Sequence, residues 1–117
     1  FRRNYRADSG LIAALVVLEQ LSVANAPLSA LLAPLDRYAA SGEINTVVSD
    51  AAAVIEGVAS HYRDYEQDRL DGLTVDCGGW WFNLRASNTE PLLRLNLEAP
   101  DAEAVDQHVA EVRALLT

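Results

Sequence analysis

Apolar and polar residues alternate through the C-terminal part of the chain, and this period of two predicts strands at 73–77, 80–85 and 92–98. Leu73, Val75 and Cys77 share one face, as do Trp80, Phe82 and Leu84, and again Leu93, Leu95 and Leu97. Thr74, Asp76, Trp81, Asn83, Arg85, Arg94, Asn96 and Glu98 fall on the opposite face. One dry face and one wetter face are the pattern of an antiparallel sheet covered by helices on one side. Gly78-Gly79 supplies the bend of a hairpin between the first two of these strands. Residues 43–49, EINTVVS, predict a further strand upstream.

Elsewhere the apolar residues recur at spacings of three and four, which predicts helices. One runs over about residues 9–23, opened by Asp8 or Ser9 as a cap. Its first two turns are apolar nearly all round, so it expects cover on more than one side, from another domain or from a second copy of the chain. Self-association of the isolated chain through residues 11–18 is the corresponding expectation. PLSALLAPLDRY predicts a short second helix capped near Ser29, with Leu31, Leu32 and Leu35 inward and Pro34 breaking it. Ser41-Gly42 marks a turn. Asp50 caps a helix carrying Val54, Ile55, Val58, Ala59 and Tyr62, which ends in the charged run RDYEQDRLDG. Asp101 caps a last helix with Val105, Val109, Val112 and Leu116 on one stripe.

The element order β-α-β-β-β-α, after N-terminal helical segments, predicts a two-layer α+β domain. Its sheet is mainly antiparallel and four-stranded, with helices packed on one face. Residues 1–25 read as a linker and helix leading from a preceding domain, and residues 26–117 as the domain itself.

Composition narrows the functions open to this fold. The 117 residues carry a formal net charge of -8, which argues against nucleic acid and anionic membranes as partners. The nine basic residues are all Arg, whose planar fork suits carboxylate and phosphate. A single cysteine, Cys77, excludes an internal disulfide and a cysteine-cluster metal site. Its place on the apolar side of a strand reads as a small buried hydrophobe. The longest apolar run, LIAALVVL, falls short of the roughly 20 residues that span a bilayer. With no secretory signal and no Met, the chain reads as a piece of a longer cytoplasmic protein. His61 and His108 lie on helices, distant from one another in sequence, so both read as packing or surface residues. Asp68, Asp71 and Asp76 are spaced as solvated turn and strand residues rather than as metal ligands.

The bend RASNTEP, residues 85–91, is chemically richer than a turn requires. Asn88 tolerates a left-handed backbone, and Pro91 fixes the entry into the next strand. Ser87 and Thr89 supply hydroxyls, and successive backbone N–H groups in such a turn form an anion-binding nest. Arg85 enters from the open face of the sheet and can fork onto two phosphate oxygens, with Arg94 on the same face of the partner strand. The bland alternative stays open on these grounds: a self-satisfied turn, with Arg85 paired to Glu90 or Glu98.

RASNTEP followed by LLRLNLEA resembles the C-terminal phosphate-binding loop of the α-D-phosphohexomutases, the family of phosphomannomutase/phosphoglucomutase and phosphoglucosamine mutase. The resemblance extends upstream through DGLTVDCGGWWFNLR and to FRRNYRADSGLIAALVVLE. Asn88 resembles the phosphomannomutase/phosphoglucomutase branch. The resemblance implies a four-domain enzyme that interconverts hexose 1-phosphate and 6-phosphate through a 1,6-bisphosphate, using a phosphoserine and Mg²⁺. It implies that Arg85, Ser87, Asn88 and Thr89, with Arg94 as a candidate, bind the phosphate at the non-reacting end of the sugar. The serine loop, metal loop and sugar loop of that family are absent from this sequence, so the Mg²⁺ is expected outside it and the chain alone is expected to be inactive. The alternative is a non-catalytic interaction module that docks through helix 11–18 and the open sheet face.

Overall fold

The computed structural model describes residues 1–2 and 4–116, which form two compact units, residues 1–37 and 38–117. The boundary drawn from sequence at residue 25 falls inside the first unit.

In the first unit, helix α1 spans Gly10–Ala24 and α2 spans Leu28–Leu32. The Ser9 hydroxyl caps α1 by accepting from the Ile12 N–H at 3.2 Å, and Asn25 closes it in the left-handed region at φ 47°. No residue of α1 is buried, and Leu11 is 74% exposed. Helix α2 stops at Leu32, before Pro34. Two details differ from expectation. Its cap position is Pro27, which offers no side-chain acceptor, and Leu32 and Leu35 are exposed rather than inward.

The second unit is an antiparallel sheet of six strands with two helices. Its elements are β1 (Ala39–Ala40), β2 (Ile44–Val47), α3 (Ala51–His61), β3 (Glu66–Asp68), β4 (Leu73–Asp76), β5 (Trp81–Ala86), β6 (Leu92–Ala99) and α4 (Ala102–Arg113). The order across the sheet is β1-β6-β5-β4-β3, and β2 also pairs with β6. The four strands expected from the sequence are present, and β1 and β3 enlarge the sheet.

Strands β1 and β2 share one edge of β6. Ala40 is opposite Glu98 and Ile44 opposite Leu95. Ser41 bridges the gap, donating its N–H to the Leu97 carbonyl at 2.8 Å and accepting the Leu97 N–H on its hydroxyl at 2.9 Å. At the other edge, β3 arises within the charged run that follows α3. Gln67 in β3 donates to the Ala59 and Tyr62 carbonyls, both at 2.9 Å, and so satisfies acceptors left over at the end of α3.

The caps of α3 and α4 match the sequence. Asp50 accepts from the Ala53 N–H at 3.0 Å and Asp101 from the Ala104 N–H at 2.9 Å. Both helices contribute to a core on one face of the sheet, where Val58, Tyr62, Val105, Val112 and Leu116 meet Leu73, Val75, Phe82, Leu84, Leu93, Leu95 and Leu97. Tyr62 packs edge-on to Phe82 at 5.1 Å, and Trp80 stacks on His108 at 3.9 Å. His108 Nδ1 lies 2.8 Å from Glu111, so this histidine is a packing residue held by an acid one turn away. Burial, with the nearby Asp76 charge second, pushes the Cys77 thiol up to about 11, so it stays protonated near neutral pH. Among the described residues no helix is long and apolar enough to cross a membrane.

Candidate functional site

The open face of the sheet carries the polar set that alternation assigned to it, and its positive charge gathers at one end. Arg85 on β5 and Arg94 on β6 are directly opposite in register, and Asn45 on β2 sits opposite Arg94 on the other side. Like charges directly opposed across two strands are destabilising unless something negative lies between them. What lies nearby is loose. Glu43 Oε2 is 3.8 Å from Arg85 Nη2 and 3.7 Å from Arg94 Nη1, while Asp71 Oδ2 is 3.4 Å from Arg85 Nη1. Well-formed N⁺–H···O⁻ bonds are about 2.7–2.9 Å, so neither guanidinium is saturated. Arg94 Nε is buried and has no hydrogen-bond partner among the described residues. A buried orphan donor costs about 1–3 kcal/mol.

The loop from β5 to β6 places its own donors beside this pair. Ser87 N–H donates to the Leu92 carbonyl at 2.9 Å and closes the base of the loop. Inside it, Thr89 N–H donates weakly to the Ser87 hydroxyl at 3.4 Å, and the two hydroxyls are 3.5 Å apart. These long contacts leave both hydroxyls able to turn outward. Asn88 does not use the left-handed backbone that its residue type permits. Arg85, Ser87, Asn88, Thr89 and Arg94 together with Ala86 line one depression of about 200 Å³. All five candidate residues are therefore in one place.

The bland pairing is different from the one expected. Glu98 accepts from Trp81 Nε1 at 3.2 Å, and Asp71 and Glu43 stand beside Arg85 instead. From the sequence, Glu43 and Asn45 carry no assigned role and Asp71 reads as a solvated turn residue. Parity along the predicted strand 43–49 would place Glu43 and Asn45 on one face, but not next to which partner. Asp71 needed the turn before β4, which Asn83 holds by donating to the Asp71 carbonyl at 2.8 Å.

Gly72 in that turn has φ 73°, and a Cβ there would lie 2.5 Å from the Leu84 carbonyl oxygen and 2.7 Å from Arg85 Cβ. The turn thus packs directly on the stem of Arg85. Gly72→Ala is expected to cost at least about 1–2 kcal/mol from the left-handed backbone alone, with the clash adding to it. Urea unfolding measures this, and an unchanged midpoint would contradict the packing described.

Among the described residues no group of three or more His, Cys, Asp or Glu side chains could hold a metal ion. The Mg²⁺ implied by the resemblance thus has no donor set among them, and no chemical step is assigned to it in this chain.

Comparison with known proteins places the chain in a family. Residues 43–115, which include the whole depression, match the family described as phosphoglucomutase/phosphomannomutase, C-terminal domain. A phosphomannomutase of Methanocaldococcus jannaschii is 41% identical over 109 residues, covering 93% of this chain and 24% of that protein. A protein of Xanthomonas campestris pv. campestris described as phosphohexose mutases is 44% identical over 120 residues, covering 99% and 27%. The crystal structure of a phosphoglucomutase/phosphomannomutase family protein from Burkholderia thailandensis superposes with a TM-score of 0.71 at 27% identity, covering 93% of this chain and 23% of that one. The chain thus spans about a quarter of the length of these relatives. With its α+β fold and this match over most of its length, the chain belongs to the phosphoglucomutase/phosphomannomutase C-terminal domain family.

Proposed function

We propose that this chain is the substrate-phosphate-binding domain of a larger phosphohexomutase that interconverts hexose 1-phosphate and 6-phosphate through a bisphosphorylated sugar. The observation that carries this reading is the opposed pair Arg85 and Arg94, unsaturated and facing a hydroxyl-lined depression. In this reading Arg85 forks onto two oxygens of the non-reacting phosphate, and Arg94 places a second guanidinium beside it. Ser87 and Thr89 donate hydroxyls, and Asn88 shapes the rim. The Mg²⁺ and phosphoserine belong to other domains of the enzyme, so residues 1–117 alone are inactive. The apolar helix α1 leads from the preceding domain and is covered by it; without that cover it is the surface through which the isolated chain self-associates.

Phosphoryl transfer depends mainly on positioning and charge stabilisation, so a clamp at the remote end contributes by holding the sugar in line. The magnitudes fit a half-site. Charge-assisted hydrogen bonds contribute roughly 1.5–3 kcal/mol each, against at least about 4 kcal/mol lost on association. Three such contacts in an open domain give only about millimolar affinity. The test is therefore Arg85→Ala in the longer enzyme, read as kcat/KM for hexose 1-phosphate. The rival reading, a docking module whose loop merely turns, is not favoured by the family match over residues 43–115.

A further inference from the structure

We infer that Glu43 is a built-in counter-ion of the arginine pair, occupying the anion position when no phosphate is bound and weakening the hold on phosphate when one is. The inference rests on the phosphate-binding reading above and adds a residue that reading does not contain. Glu43 follows the Ser41-Gly42 turn, with Gly42 at φ 64°, and immediately precedes β2. The pairing of Asn45 with Arg94 puts Glu43, two residues earlier in the strand direction, on the same open face.

Among the described residues its carboxylate is the one that reaches both guanidiniums, through a single oxygen, Oε2, at 3.8 and 3.7 Å. The other oxygen is held at 3.5 Å by the Asn45 amide. Asp71 by contrast approaches Arg85 alone. A carboxylate oxygen poised between two cations, yet too far for a good hydrogen bond to either, relieves their repulsion without satisfying their donors. The side chain is 40% exposed, so it can swing aside without opening the core.

With Glu43 and Asp71 ionised, the two arginines are formally neutralised before any ligand arrives. A phosphate dianion must then displace Glu43 from the pair or bind against its charge. Either way the acid lowers affinity, and a clamp that lets go of each sugar phosphate is the result.

The experiment compares the chain with its Glu43→Gln variant, which keeps the side-chain size and removes the charge. Inorganic phosphate is titrated against chloride at constant ionic strength while the Ser87, Asn88 and Thr89 amide shifts are followed. Exposed ion pairs are individually weak, so removing the two predicts phosphate binding about two- to thirtyfold tighter. Binding to the variant should also weaken more steeply with added salt, since the site then carries more net positive charge. A change in packing alone would not move that salt slope. Equal or weaker phosphate binding in the variant, beside saturable binding in the parent chain, overturns the counter-ion role and leaves the phosphate site standing. No saturable shift at these amides in either protein removes the phosphate reading and this inference with it.

Discussion

Arg85→Ala in the longer enzyme is expected to lower kcat/KM for hexose 1-phosphate by roughly ten- to a hundredfold, or about 1.5–3 kcal/mol. The size follows from losing one charge-assisted, two-pronged contact to a phosphate held in a closed cleft. Part of the loss should appear in kcat, because the clamp sets the alignment of the distant reacting end as well as binding the ground state. Arg85→Lys keeps the charge but not the fork, and should recover only part of the activity. Arg94→Ala should act on the same phosphate, so the double variant loses less than the sum of the single losses. The cross-strand opposition of the two residues is the structural reason for that coupling. A kcat/KM unchanged by Arg85→Ala, with either glucose or mannose 1-phosphate, would remove the clamp role.

Phe82→Ala should destabilise the domain by about 3–5 kcal/mol. Phe82 is fully buried and lies opposite Val75 on β4 and Leu97 on β6. Its ring also meets Tyr62 at 5.1 Å and Trp80 at 5.8 Å, tying the sheet to α3 and to the Trp80–His108 stack. Truncation removes a large apolar side chain where three strands and the end of a helix converge. Domains of this size have about 5–15 kcal/mol of total stability, so the variant would sit near the edge of folding. Urea unfolding gives the loss through the midpoint and slope. A loss below about 1 kcal/mol would contradict the central position assigned to this ring.

Much of this fold was legible because it obeys simple periods. Within the strands between Leu73 and Leu97 the dry-face positions recur every second residue, and each is buried in the structure except Cys77 and Trp80 at the hairpin end, which are partly covered. Asp50, Ser9 and Asp101 cap the helices they precede, since a short acceptor ahead of an apolar stripe has few other uses. Strand β3 was hidden because Glu66-Gln67-Asp68 has no apolar alternation; an edge strand tolerates charge and takes its place from β4 rather than from its own sequence. Strand β1 is only two alanines, too short to carry a pattern. The inward assignment of Leu32 and Leu35 failed because the helix ends at Leu32, leaving Leu35 beyond it, and within this chain both are exposed.

The site divides in the same manner. Arg85 and Arg94 could be assigned to one face by counting, and the loop residues by their donors. That the arginines are directly opposed depends on the register of β5 with β6, which the loop between them sets. Glu43 and Asp71 come from segments remote in sequence, brought in by β2 pairing and by the turn at Gly72. Charges of that kind belong to tertiary structure, and no local pattern announces them.

The most direct measurement is a crystal structure of the longer enzyme with a hexose 1,6-bisphosphate analogue bound. One phosphate group is expected among Arg85, Ser87, Thr89 and Arg94, with guanidinium and hydroxyl donors about 2.7–3.0 Å from its oxygens. A phosphate lodged elsewhere, with Arg85 still turned to Asp71 and the depression empty of ligand, would contradict it.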